Sequence, residues 1–176
     1  VTEVKERVVA LALTNLVAFN SITGEQALHL ASTYNIEHLF TIRETEFLVN
    51  PTEERKSHET WKCEGIWTLL WALQVVPDLT YPDQLADLNN IPADQYPVRP
   101  GIDPHEFINS LWVLRTPAEL LDAADLYYRM DWACVEARTN GVETSLLSGV
   151  VFERHYALNW LLSDKNQTWD DIRTDT

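Results

Sequence analysis

The sequence contains little cysteine and little glycine, and both shortages exclude classes of protein. Two cysteines, Cys63 and Cys134, are too few for the disulfide framework of a small secreted domain. Each lies in an apolar helical stretch, so we expect both to be core residues. The five glycines form none of the phosphate-binding loops or nucleophile elbows found in common enzymes. No catalytic or cofactor signature is recognisable, and we expect no cofactor.

Basic side chains are also scarce. The 176 residues include 13 Lys and Arg against 27 Asp and Glu, which gives a formal net charge of −14. The only adjacent basic pair, Arg55 and Lys56, follows two glutamates, so no basic patch offsets the repulsion of nucleic-acid phosphates. We expect no nucleic-acid partner. The negative charge leaves a cationic protein, a cation or a small molecule open as a partner. The alternative is that the charge has no partner and only keeps the protein soluble.

Long apolar runs and an export signal are absent as well. The apolar stretches are interrupted too often for a membrane-spanning helix. No charged segment followed by an apolar stretch opens the chain. The sequence therefore predicts a soluble, cytoplasmic protein without a membrane partner.

Apolar residues in helical periodicity are abundant. With 45% hydrophobic residues, a single domain over 1–176 can bury a core without a covalent staple. A helix over about 53–76 becomes apolar on nearly every face, which is typical of a buried central helix. Six of the eight prolines then fall within about 77–104, which predicts a long Pro-rich loop. The predicted fold is an all-α, orthogonally packed bundle of about six or seven helices.

Local signals mark several helix ends. Thr41 and Glu44 have capping-box spacing, and so do Thr116 and Glu119, with a proline between them at the first helical position. The second of these helices should run to about residue 139, where Asn140-Gly141 ends it.

Glu64 is the most informative polar residue of the predicted central helix. It lies between Trp61, Trp67 and Trp71, where an unpaired charge would cost several kcal/mol. It therefore needs a cationic partner. The late helices offer three arginines embedded in apolar sequence, namely Arg129, Arg138 and Arg154.

A polar seam follows the helix that begins near Thr116. Asp125 and Arg129 are four residues apart and can form an ion pair, and Trp132 continues near the same side. Such a seam is either a structural network that fixes helix packing or a pocket for an anionic or polar ligand. Structural ion-pair networks shift the pKa values of their charged groups just as active sites do, so such a seam is not by itself a sign of a ligand site. The sequence therefore favours the structural interpretation.

Two further groups of residues resemble sites only in part. His155 has the character of a core or capping histidine rather than of a general base. The tail carries Asp170, Asp171 and Asp175, whose spacing matches no calcium loop, so we interpret them as capping residues beside a packed Trp169. We expect no metal site.

The combination of short motifs resembles a known family. Trp61-Lys-Cys-Glu64, Asp125-Leu-Tyr-Tyr-Arg129, Glu153-Arg154 and Trp169-Asp-Asp171 are together similar to the bacterial domain-of-unknown-function family 4272. The resemblance extends from about Val4 to the end of the chain. Members usually carry a further N-terminal segment, so the resemblance implies a longer parent protein. It implies no reaction, substrate or cofactor.

Two hypotheses of function follow. The first is a non-enzymatic intracellular domain that binds another protein, as immunity proteins do. The alternative is an enzyme or small-molecule binder whose pocket forms where Glu64, Asp125, Arg129, Arg138 and Arg154 converge, with the Pro-rich loop as a lid. The absence of motifs favours the first hypothesis.

Overall fold

The computed structural model describes residues 1–163 and 167–174, so the predicted capping residue Asp175 lies outside the described residues. Within these ranges the chain is helical and has no strand, which confirms the all-α class. Eight α-helices are described: α1 Thr2–Ala18, α2 Gly24–Thr33, α3 Ile42–Val49, α4 Glu53–Glu59, α5 Cys63–Ala72, α6 His105–Ile108, α7 Pro117–Asn140 and α8 Ser148–Leu162. Four single 3₁₀ turns lie at Glu37–Leu39, Thr60–Lys62, Leu88–Asn90 and Trp169–Asp171. No helix in these ranges is both long and apolar enough to cross a membrane.

The predicted central helix over about 53–76 is divided into two parts. The two parts are α4 and α5. Helix α5 is buried at every residue, whereas α4 has no buried residue. The prediction of one buried helix is wrong for α4, because the sequence Glu53–Glu59 is polar on all sides and gains nothing from burial. The predicted C-terminal end is also too late. Gln74 adopts a left-handed backbone with φ 60°, and the N–H of Val75 closes the helix end on the carbonyl of Leu70.

Helix α5 lies between α1 and α8, and α7 packs on the outer side of α8. Helix α1 is almost as buried as α5. Two of its charged side chains are buried with partners: Lys5 donates to the carbonyl of Ser110, and Arg7 pairs with Glu44. The core is therefore a layer of two buried helices, α1 and α5, covered by the others.

The predicted helix boundaries of α3 and α7 are confirmed by their caps. The side chains of Thr41 and Thr116 each accept a hydrogen bond from the backbone N–H of the glutamate three residues later, and the carboxylate of each glutamate accepts one from the backbone N–H of its threonine. Gly141 ends α7 in a left-handed conformation with φ 65°.

The predicted Pro-rich loop is confirmed as irregular and carries one 3₁₀ turn, Leu88–Asn90. The loop is nevertheless attached to the core, because Leu79 and Ile91 are buried. It is followed by the short helix α6, which covers only His105–Ile108.

The tail closes over the bundle through a tryptophan. Trp169 is buried against Tyr156 and Trp160, with ring centroids 5.2 Å and 5.3 Å away in edge-to-face geometry. Tyr156 also donates from its hydroxyl to the backbone carbonyl of Trp169. The predicted packing of Trp169 on the domain is confirmed.

We expect two glycine-to-alanine changes to have opposite effects. A Cβ on Gly24 would lie 1.9 Å from the carbonyl oxygen of Leu48, so Gly24→Ala must separate α2 from α3, at a cost of about 1–3 kcal/mol. A Cβ on Gly65 would meet the Trp169 ring at an ordinary 3.6 Å, so Gly65→Ala should stabilise helix α5 by roughly 0.5–1 kcal/mol. Urea unfolding of both variants measures the two effects, and equal effects would contradict the close approach at Gly24.

Candidate functional site

Glu64 and Arg154 form the one fully buried ion pair of the described chain. Their side chains are both 0% exposed, and Arg154 Nε donates to Glu64 Oε2 at 2.7 Å. The pair joins α5 to α8. The need of Glu64 for an arginine partner is thus met, and Arg154 is the one of the three candidate arginines that meets it.

The ion pair also holds the Pro-rich loop. Glu64 Oε1 accepts the backbone N–H of Ala86 at 2.5 Å. Arg154 Nη1 donates to the carbonyl of Leu79, and to that of Thr80 at 3.0 Å. Thr80 has a left-handed φ of 54°, a conformation that needs such support in a β-branched residue. We call Glu64, Arg154 and these backbone partners the Glu64–Arg154 clamp.

The clamp is closed to substrates. Arg154 Nη1 also donates to the hydroxyl of Tyr127 at 2.7 Å, and burial raises the pKa of Tyr127, so this hydroxyl stays neutral. Arg154 Nη2 is buried and has no hydrogen-bond partner among the described residues. A guanidinium in these surroundings stabilises the fold and is not placed to bind a ligand from solvent.

The other predicted site residues do not join the clamp. Asp125 and Arg129 pair at 2.9 Å, but their side chains are 58% and 73% exposed. Trp132 is half-exposed, and Arg138 is exposed and lines a separate groove with His58 and Glu153. The predicted convergence of two carboxylates and three arginines is therefore corrected to one buried pair and one surface pair.

The geometry of α7 explains this separation. Its buried stripe consists of Leu120, Tyr127, Asp131 and Cys134. Arg129 follows Tyr127 by two residues, which places it about 200° around the helix. An arginine on that side faces solvent whatever its sequence neighbours are.

The buried stripe of α7 instead brings Asp131 to His155. His155 Nδ1 lies 3.0 Å from Asp131 Oδ2, and Asn159 Nδ2 lies 3.1 Å from His155 Nε2. The predicted core position of His155 is confirmed, since the residue is buried. Neither Asp131 nor Asn159 was among the predicted site residues. The signal for Asp131 is its position in register with Leu120, Tyr127 and Cys134.

Carboxylates gather on the side of the molecule near Tyr156. Glu59, the last residue of α4, is partly buried, and the loss of solvent raises its pKa. The positive charge of Lys62 opposes this rise, and the carboxylates of Glu44, Glu153 and Asp170 add to it. Lys62 forms an ion pair with Glu153 at 3.0 Å. Of the predicted tail residues, Asp170 thus belongs to this acidic cluster.

The second tail aspartate has a local role. Asp171 Oδ2 accepts a hydrogen bond from the hydroxyl of Thr168 at 2.7 Å, within the 3₁₀ turn. Across residues 1–163 and 167–174, no group of three or more acidic, histidine or cysteine side chains is arranged to hold a metal ion.

A cleft of about 730 Å³ lies beside the clamped loop. Asn15 and Leu16 of α1 form one wall together with Phe19, which follows the helix, and loop residues 85–100 form most of the other. Cys63 also lines it. Burial, and next the charge of Glu64, raise the pKa of the Cys63 thiol to about 12, so the thiol stays protonated and is a poor nucleophile. We call this space the loop cleft.

A family model described as "Domain of unknown function (DUF4272)" matches residues 1–172 of the chain. The chain belongs to the DUF4272 family. The resemblance seen in the sequence motifs is confirmed. The match includes Glu64, Arg154 and the tail residues Asp170 and Asp171. No match was found among curated proteins or among solved structures.

The Glu64–Arg154 clamp predicts a large loss of stability when one of its charges is removed. Glu64→Gln leaves the Arg154 guanidinium buried without a counter-charge, so we expect a loss of about 3–5 kcal/mol in the free energy of unfolding. The matched control is Asp125→Asn, which breaks the exposed pair with Arg129 and should cost about 0.5 kcal/mol or less because solvent screens it. Denaturant unfolding compares the two, and similar small losses would show that Glu64 is not buried as a charge.

The raised pKa of Glu59 predicts a pH-dependent effect. Between the unfolded pKa and the higher folded pKa, the folded state binds more protons, so this residue lowers stability as the pH rises. Glu59→Gln should therefore be more stable than the wild type at neutral pH. The difference should vanish below the usual value of 4.5. Thermal unfolding across this pH range tests it with the exposed Glu54→Gln as control, and a destabilised Glu59→Gln at neutral pH would contradict the direction of the shift.

Proposed function

We propose that this domain is a non-enzymatic binding domain that docks a basic protein partner on one face of α7. Leu121, Tyr128 and Trp132 are 56%, 42% and 49% exposed on this helix. Their spacings of seven and four residues place them on the same side. We call these three residues the aromatic face. This exposed tryptophan and tyrosine, side by side on a 24-residue helix, are the observation that carries the proposal.

The composition of the aromatic face supports an interface. Tryptophan and tyrosine are enriched among the residues that dominate binding energy in protein interfaces. Helix α7 packs mainly on α8, through the stripe that contains Tyr127 and Asp131. Of the aromatic face, Tyr128 also meets His155 of α8 edge to face, with ring centroids 5.8 Å apart, whereas Leu121 and Trp132 keep about half of their surface exposed.

The charges around the aromatic face support a basic partner. Asp122 and Glu136 are exposed on α7, and Arg129 on the same helix is already neutralised by Asp125. One exposed cation of the tail, Arg173, lines the groove beside Leu121 and Tyr128, so acidic side chains remain in excess. The whole chain has a net charge of −14. Such a field accelerates encounter with a positively charged protein and makes the association sensitive to salt.

The enzyme alternative has less support from the geometry. It requires Glu64 and Arg154 to reach a substrate, whereas both are fully buried and are bonded to each other and to the loop backbone. A cytoplasmic site of action fits the two cysteines, which are unpaired and buried.

The proposal predicts that Trp132→Ala removes partner binding without unfolding the domain. Trp132 is half-exposed, so its truncation should change stability little, whereas loss of an interface tryptophan should weaken binding by about 2 kcal/mol or more. The measurement is capture of the partner from lysate of the source organism, followed by calorimetry with the purified partner at two salt concentrations.

The matched control for this experiment is Phe19→Ala, which truncates an aromatic residue of similar exposure at the C-terminal end of α1. It should retain the partner and keep the same salt dependence. A partner that is retained by Trp132→Ala, or that is lost only in Phe19→Ala, would contradict docking on the aromatic face.

A further inference from the structure

The loop cleft has the size and lining of a small-molecule site. Its volume of about 730 Å³ lies within the range of ligand pockets, roughly 300–1,000 Å³. Apolar side chains form most of its walls, among them Leu16, Leu88, Ile91 and Val98. Two of its apolar residues, Phe19 and Leu85, are exposed enough to meet an entering molecule.

The loop wall of the cleft is fixed in place by the core. Ala86 lines the cleft, and its N–H is the group that Glu64 holds. Asp87 accepts hydrogen bonds from both the backbone and the side chain of Asn89, which shapes the next turn of the wall. Ile91 then anchors the wall in the core. A site whose walls are already ordered loses little conformational freedom when it binds a ligand.

The polar groups of the cleft point to the charge of its ligand. Arg99 is the one cation among the residues that line it, and its single side-chain hydrogen bond in the described structure is a long one, 3.3 Å, to the exposed Glu106. Tyr96 also lines the cleft, and its hydroxyl makes no hydrogen bond to a described residue. Burial, and next the neighbouring Cys63, raise the pKa of Tyr96 to about 12, so this hydroxyl remains a donor.

A single arginine favours a singly charged anion over a phosphate dianion. Asp87 lines the same cleft and offsets part of the charge of Arg99. The net charge of −14 repels multiply charged anions further. A carboxylate accepts two parallel hydrogen bonds from a guanidinium, which suits the remaining donors of Arg99.

We propose that the loop cleft binds a small organic monocarboxylate with an apolar body, its carboxylate held by Arg99 and Tyr96 and its apolar body enclosed between α1 and the loop. No residue of the aromatic face lines this cleft, so the site is separate from the proposed protein interface. The protonated Cys63 thiol makes this a site for binding without covalent attachment.

Three probes with the same eight-carbon tail test the charge preference. Octanoate, octanamide and octylammonium carry a negative, neutral and positive head group, and titration calorimetry of the full chain below the micelle concentration measures each affinity. The expected order of affinity is octanoate, octanamide, octylammonium. In Arg99→Gln, octanoate should weaken by roughly tenfold or more, to the level of octanamide, because a charge-assisted hydrogen bond is lost.

Two variants localise the binding. Ala93→Trp places a large side chain at an exposed position of the cleft wall and should weaken all three probes, with folding checked by circular dichroism. Arg129→Gln removes an exposed arginine outside the cleft and should change none. The proposal is overturned if octanoate does not bind, if octylammonium binds best, if Arg99→Gln leaves octanoate unaffected, or if Ala93→Trp binds as the wild type does.

Discussion

A buried carboxylate and a buried guanidinium determine how this domain is assembled. Glu64 and Arg154 have no contact with solvent, so each can remain charged only beside the other. Their pairing requires α5 and α8 to be adjacent and in one register. The backbone supplies further partners: the carbonyls of Leu79 and Thr80 accept from Arg154 Nη1, and the N–H of Ala86 donates to Glu64. Arg154 Nη2 has no hydrogen-bond partner among the described residues.

The Glu64–Arg154 clamp links the core to the loop that forms one wall of the loop cleft. Segment 79–86 is held at both ends, so a loop rich in proline has a defined path over α5. One side of the loop cleft begins at Ala86, where the clamp ends. The charged residues that look most like catalytic groups in the sequence therefore fix the position of one wall of the cleft that we propose as a ligand site.

Local signals in the sequence were sufficient for the fold class and for several boundaries. The capping boxes at Thr41 and Thr116 and the glycine after α7 depend only on residues a few positions apart, and the structure has all three. The break in the predicted central helix was also readable in principle, since the residues of α4 are polar on every side. Averaged over about 53–76, the apolar residues of α5 conceal the polar character of α4.

The tertiary partners could not be read from the sequence in the same way. Glu64 clearly needed an arginine, but Arg129, Arg138 and Arg154 have similar apolar neighbours, and only the packing of α8 on α5 selects Arg154. The burial of Arg7 depends likewise on Glu44, which is 37 residues away in the chain. Pairings over such distances are decided by how the helices assemble.

The most direct test of the clamp is native-state hydrogen exchange at the amide of Ala86. This amide belongs to an irregular loop, yet it donates to a carboxylate that has no access to water. The clamp predicts that it exchanges only when the whole domain unfolds, as the amides of α5 do. Exchange at the rate of an unprotected loop amide would show that Glu64 does not hold the loop, and would contradict the account.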